Sequence, residues 1–231
     1  MTSFQKLMQH YLHQTKKVRR MNRIAALIDR LASEKRIVIR SPHNLSWGDP
    51  EYCKALFCDI FCRIDGSIRE YQHLPEYADV IEWMTSTEGQ GLLLYGDCGR
   101  GKSIILTGVI PVLLAIKSCY VIAIHADDLG KPYDFAANTA GYDSKMSNLE
   151  YLTRSPFPII DELGVESLVN DYGEKFEGFN RVINAAERYL RPLFLSTNMT
   201  KEQLLLRYGE RTFDRLTHLC RVVEFRGESR R

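Results

Sequence analysis

The chain has no apolar run that could cross a bilayer: its longest, Ile104 to Ile116, is well short of the roughly 20 residues a helical span needs, and Pro111 breaks it. The N-terminus has Gln, His and charged residues where a secretory leader would have its apolar core. That leaves a cytoplasmic location as the expectation, with the six cysteines as reduced thiols. The basic, amphipathic N-terminal stretch has features of a transit peptide, but its acidic residues and continuous helical pattern favour a retained segment. Paired Cys-x2-Cys knuckles are also missing. Cys53, Cys58 and Cys62 are spaced Cys-x4-Cys-x3-Cys inside an amphipathic segment, Tyr52 to Ile64, and so read as the buried face of a helix rather than as metal ligands.

What is present is enough for one α/β domain with an appendage: 231 residues, 45% of them hydrophobic. The net charge of +2 conceals an asymmetry. Residues 1–40 carry ten Lys and Arg against Asp29 and Glu34, a balance of +8, which leaves 21 basic against 27 acidic residues, or −6, on the other 191. A basic arm on a mildly acidic body suits an anionic partner such as nucleic acid or an acidic protein surface. Apolar residues at helical spacing between Phe4 and Leu31 predict two helices with a break near Thr15 to Lys17. The Lys16 to Arg23 cluster is either a solvated helix face or a contact surface. A helix over 75–88 closes an N-terminal region, residues 1–75, ahead of a core spanning 76–231.

The rest of the chain is organised around Gly96-Asp97-Cys98-Gly99-Arg100-Gly101-Lys102-Ser103, a Gly-x4-Gly-Lys-Ser motif. It follows an apolar run, Gly91 to Tyr95, and precedes a helix-capable one, Ser103 to Lys117. A buried strand thus delivers a tight loop to a helix start, where unpaired N–H groups and the helix dipole attract phosphate. Glycines at 96, 99 and 101 let consecutive amides wrap a phosphate, Lys102 reaches the β- and γ-phosphates, and the Ser103 hydroxyl is placed to ligate Mg²⁺.

Downstream, Cys119 to Ile124 reads as a second strand and Pro111 as a bend in the helix before it. Lysines and rings interleave between His125 and Thr153 (Lys131, Tyr133, Phe135, Tyr142, Lys145, Tyr151), which suits single-stranded nucleic acid and a packed loop equally. Phe157 to Glu162 is a short apolar strand ending in Asp-Glu. There Asp161 would hold Mg²⁺ and Glu162 would polarise an attacking water, a base that hydrolysis needs and transfer to a bound acceptor does not. An amphipathic helix follows over about 174–190. The next strand, Leu193 to Asn198, ends in polar residues; Asn198 there is a turn residue, a cap or, by resemblance to ATPases of the additional-strand class, the residue that orients the attacking water. Arg211 and Arg215 share one helix face, fit either for a neighbouring subunit's γ-phosphate or for a salt bridge with Glu210 or Asp214. Arg221 to Phe225 is the closing strand.

From Leu92 onward the chain resembles AAA+ ATPases of the DnaC-type helicase-loader and IstB-type transposition-ATPase group. The likeness is carried by the order and spacing of Ile160-Asp161-Glu162-Leu163-Gly164, Val182-Ile183-Asn184, Arg188-Tyr189, Ser196-Thr197-Asn198, Gly209-Glu210-Arg211, Asp214-Arg215-Leu216 and Gly227-Glu228-Ser229. The resemblance implies an α/β P-loop NTPase fold of the additional-strand class: a five-stranded parallel sheet in the order 5-1-4-3-2, a helical N-terminal region before it and no full C-terminal lid. It further implies ATP and Mg²⁺ bound between subunits of a homo-oligomer, an arginine donated in trans from Arg211 or Arg215, and a second sensor at Arg230 or Arg231. The implied partners are a replicative helicase with single-stranded DNA or, for the IstB type, a transposase with duplex DNA. An ATP-switched protein-binding module without DNA is the reading from another class.

Overall fold

A computed structural model describes residues 3–34, 36–37, 43–66, 71–133, 146–171 and 174–230, with the side chains of 3–17 and 170–176 left out of the description. Leu92, Leu93 and Leu94 are at most 1% exposed. A strand buried on both faces needs cover on both, which is the situation of a central strand in a parallel sheet. Strand β1 (Gly91–Gly96) accordingly lies inside a five-stranded sheet with β2 (Ala123–His125), β3 (Ile159–Asp161), β6 (Phe194–Thr197) and β7 (Cys220–Phe225). The order is β2-β3-β6-β1-β7 and every pairing is parallel. Counted along the sheet's own strands this is the anticipated 5-1-4-3-2. Gly91 is required where β1 meets β6, because a Cβ there would come 2.0 Å from the Leu193 carbonyl oxygen.

Successive side chains of β1 face opposite ways and define two cores. Leu92 and Leu94 join Cys53, Phe57 and Phe61 of α2 (Pro50–Ile64), Tyr77 and Trp83 of α3 (Pro75–Thr85), and Ile105 and Leu106 after the P-loop. Leu93 joins Ile160, Leu195, Phe179 and Ile183 of α7 (Gly178–Tyr189), Leu204 of α8 (Lys201–Tyr208) and Leu216 of α9 (Glu210–Leu219). Helix α2 starts where the sequence stops it from starting earlier: Pro50 occupies the first turn and the Asp49 carboxylate accepts from Tyr52 N at 2.8 Å. Cys53 is fully buried, and Cys58 and Cys62 are half-buried.

Several boundaries differ from expectation for local reasons. Helix α1 (Ser3–Ser33) runs through Thr15 to Lys17 without a break, since nothing there is a helix breaker. Its side chains from Val18 to Arg30 are exposed, Val18, Met21, Ile24, Leu27 and Ile28 among them. By compactness the chain divides after Arg40, not after residue 75, because α2 contributes to the sheet's core. The P-loop helix runs as α4 (Lys102–Ile104), a π-helical stretch Ile105–Val109 and α5 (Ile110–Ile116). Ile110 N donates to Ile105 O, five residues back, immediately before Pro111. A proline has no N–H for the carbonyl four residues earlier and its ring crowds it, so the widened turn is the local form of the anticipated bend.

Residues Glu174–Phe176 form strand β5, paired antiparallel with β4 (Val169–Asp171), where the first turn of a longer helix was expected. Strand β2 is shorter than the apolar run before it, and Tyr120 is 83% exposed. A short helix α6 (Asn148–Arg154), capped by the Ser147 hydroxyl, precedes β3. Among the described residues no helix is long and apolar enough to cross a membrane.

Candidate nucleotide site

Because β6 lies between β1 and β3, its polar end is inserted between the glycine loop and the Asp161-Glu162 pair. All three strands run the same way, so their C-terminal ends open into one crevice, the usual ligand position in such sheets. A cavity of about 710 Å³ occupies it. Its walls include Cys98 through Ser103 of the loop, Glu162, Ser196, Asn198, Ser229 and Arg230, together with Phe61, Leu74 and Tyr77 from the α2–α3 side.

The loop has the backbone its glycines were expected to permit. Gly96, Gly99 and Gly101 have φ of 114°, 71° and 90°. At Gly99 a Cβ would meet the Ser229 hydroxyl at 2.1 Å, so the close approach as well as the angle requires glycine. Lys102 is 6% exposed and its ammonium donates to the carbonyls of Gly96 (2.8 Å) and Asp97 (2.6 Å). A lysine at a glycine loop that leads into a helix start is the arrangement that holds a polyphosphate. The Arg100 guanidinium is committed elsewhere, to a buried ion pair with Glu76 at 2.5 Å, which raises the arginine's already high pKa against the lowering effect of burial. Burial pushes the neighbouring Tyr77 phenol up to about 12, with the Glu76 charge adding to it and Arg100 opposing.

Asp161 is 8% exposed and accepts from the Ser196 hydroxyl. The same Ser196 oxygen accepts from Glu162 N at 3.0 Å. Glu162 has φ of 58°, a left-handed conformation that costs a non-glycine residue about 1–2 kcal/mol. Such an outlier persists only where its surroundings hold it. Here Ser196 fixes the amide, and the Glu162 carboxylate lies 3.2 Å from His125 Nε2. Since Asp127 N can only donate, His125 Nδ1 must be its acceptor (3.3 Å), and the ring proton therefore sits on Nε2 and is donated to Glu162. Leu163 N donates to Ser196 O, and the Thr197 hydroxyl donates back to Leu163 O at 2.6 Å, so the ends of β3 and β6 are tied together.

Asn198 lines the cavity, and the cap of α8 is Thr200, which forms a capping box with Gln203. Arg215 is bound within its own chain, to Glu187 at 2.8 Å and to the Asn184 side-chain oxygen at 2.5 Å, rather than to Glu210 or Asp214. Arg211 is exposed. Of the interleaved lysines and rings, Tyr133 and Tyr151 stack on each other (centroids 4.5 Å apart) and Lys131 pairs with Asp128, as in a packed loop. Phe135, Tyr142 and Lys145 lie outside the described residues, as does Arg231.

Residue patterns gave no role to His125, Ser196 or Glu76, although Ser196 lies in the Ser196-Thr197-Asn198 triad. The first two carried a signal: each is a polar residue at the C-terminal end of an apolar run, where parallel strands place their ligand groups. Glu76 carried none, being one acidic residue in the first turn of a helix.

Sheet order, glycine loop and carboxylate pair make this an α/β P-loop fold, a fold that AAA+ proteins share. Among solved structures the chain is similar to DnaI, with a TM-score of 0.50 at 19% identity over 67% of this chain and 87% of that one. It is likewise similar to a DnaC helicase loader, with a TM-score of 0.51 at 17% identity over 72% of this chain and 98% of that one. No protein-family model and no curated protein matches the chain by sequence. At these identities the likeness is one of fold.

Proposed function

We propose that this chain is an ATP-binding and ATP-hydrolysing AAA+ protein that acts as a replicative helicase loader on single-stranded DNA in the cytoplasm. The supporting observation is the convergence on one cavity of the Lys102 loop, Glu162, Asn198 and Arg230, in a fold shared along 98% of a DnaC helicase loader. The residues present suit Mg²⁺ with ATP: Ser103 stands at a helix start on the cavity wall, and the Asp161 carboxylate accepts from Ser196, which lines the same cavity. Ser103 and Asp161 would hold the ion, which when bound neutralises charge on the phosphates.

Lys102 and the loop amides bind the phosphate chain. Glu162 accepts the proton of the attacking water; His125 orients its carboxylate, and Ser196 fixes its backbone amide. Asn198 positions the water. An arginine from a second copy completes the site. Arg211 suits that role better than Arg215, which its own α7 occupies. The basic arm, residues 1–40, holds the helicase.

The test is the mass of the full chain with ADP, with a slowly hydrolysed ATP analogue, and with either plus single-stranded DNA, alongside capture of a replicative helicase. Nucleotide-dependent oligomers that retain helicase are expected. A monomer in every condition removes the arginine in trans. Salt-sensitive preference for duplex DNA without helicase capture favours the IstB-type transposition reading instead, and no DNA binding at all favours the protein-binding module.

A further inference from the structure

Arg100 sits inside the phosphate loop, yet its side chain is 6% exposed and reaches away along two directions. Its Nε lies 2.5 Å from Glu76 Oε1, in the first turn of α3, and Nη1 donates to Glu228 O at 3.2 Å. The next residue of α3 contributes as well, since the Tyr77 hydroxyl donates to Arg100 O at 3.1 Å. One guanidinium therefore joins three pieces of chain: α3, the loop, and the segment that follows β7.

That segment is laced to the loop along its length. Asp97 N donates to Phe225 O (2.8 Å), Gly227 N to Asp97 Oδ2 (2.7 Å) and Arg230 N to Gly99 O (2.9 Å). Gly227 has φ of 125°, and a Cβ on it would come 2.8 Å from Arg100 Nη1. The result is a short stretch of backbone that forms part of the cavity wall and contributes Ser229 and Arg230 to it.

A buried ion pair is a poor device for stability alone, because apolar side chains of similar volume commonly serve as well. What they cannot supply is a directed second donor. Arg100 has one: the planar fork satisfies Glu76 with one edge and keeps an N–H for Glu228 O. Two contacts of this kind fix a residue on each side of the loop at once.

We propose that Arg100 is a positioning residue that joins Glu76 to the Glu228 carbonyl and so holds Gly227 to Arg230 as a wall of the nucleotide site, making ATP affinity depend on a guanidinium that is engaged by Glu76 and the Glu228 carbonyl. The proposal rests on the ATP-binding reading above. It places no further requirement on DNA or helicase.

The test uses the full chain and two variants: Arg100→Lys, which keeps a charge for Glu76 but loses the fork, and Glu76→Met with Arg100→Met, which replaces the pair by apolar volume. Three quantities are measured: the melting midpoint, the affinity for a fluorescent ATP analogue, and amide hydrogen exchange at Gly227 and Arg230. Both variants are expected to melt close to the parent, to bind the analogue about tenfold more weakly, a loss on the order of one good hydrogen bond, and to exchange faster at those two amides. Parental affinity and exchange in the doubly substituted chain would overturn the proposal, leaving the pair as filler. So would a large fall in melting midpoint in both variants, which would make the pair a requirement of the fold. Should the parent itself bind no analogue, the ATP reading fails, while the exchange rates still decide whether Arg100 holds the segment.

Discussion

Replacing Ser196 by alanine isolates one side chain on which both carboxylate residues depend. Ser196 is 1% exposed, and its hydroxyl donates to Asp161 while accepting from Glu162 N at 3.0 Å. Alanine removes a hydrogen bond to an ionised acceptor, worth about 1.5–3 kcal/mol, and leaves a half-buried amide without its acceptor, for about 1 kcal/mol more. The expected loss is about 2.5–4 kcal/mol. For a body of this size it appears as a fall in melting temperature of roughly 5–15 °C, at about 2–4 °C per kcal/mol. Urea denaturation followed by far-ultraviolet circular dichroism, at pH 7 and without nucleotide, measures it with no assumption about function. Since Glu162 is held in a left-handed conformation by this bond, hydrolysis should fall further than nucleotide affinity. A change below about 0.5 kcal/mol would refute the reasoning, because it would mean water satisfies both groups and Ser196 holds nothing.

Glu162→Gln should bind ATP within about threefold of the parent and hydrolyse it at least 100-fold more slowly, the lower range for loss of a general base; a radiolabelled phosphate-release assay with parallel binding checks this, and unimpaired hydrolysis would remove Glu162 from the chemistry. Arg215→Ala should lower folding stability by about 1 kcal/mol through loss of its contacts with Glu187 and Asn184, whereas Arg211→Ala should leave stability within about 0.5 kcal/mol, as surface changes usually do, and reduce hydrolysis only at protein concentrations where oligomers form; the reverse pattern would exchange their roles. Burial holds the phenols of Tyr77 and Tyr133 up at about 12, above the 10 of an unfolded chain. The folded state therefore keeps protons that the unfolded state releases, so stability is fully present below pH 10 and is lost as pH rises from 10 towards 12. Denaturation midpoints at pH 8 and pH 11 should separate by less in Tyr77→Phe than in the parent, and equal separations would count against it.

How far residue order could be read depended on the range of the interaction involved. Gly96 to Ser103 is a local device: the turn, the helix start and the lysine are contiguous, so their mutual geometry is set within a few bonds and the motif carries it. The same holds for Asp161-Glu162, and for Thr200 and Gln203, which cap α8 across three residues. The strands were recognisable because a run buried on both faces is apolar throughout. Their ends were not, and Glu174–Phe176 became a strand because Val169–Asp171 offered it a partner that no periodicity can announce. The continuous α1 is the opposite case, a pause in an apolar pattern that the backbone does not share.

Residue order was enough to put a glycine loop, a cation and a carboxylate pair each at the end of a buried strand. Which other groups meet them follows from the arrangement of the strands in the sheet. Placing β6 between β1 and β3 brings Ser196 to Asp161 from 35 positions away, the neighbouring β2 brings His125 to Glu162, and the segment after β7 comes back over Gly99 and Arg100. Such contacts are fixed by sheet order and burial, which sum over the whole core. A single polar residue at a strand end does not reveal in advance which partner that sum will set beside it.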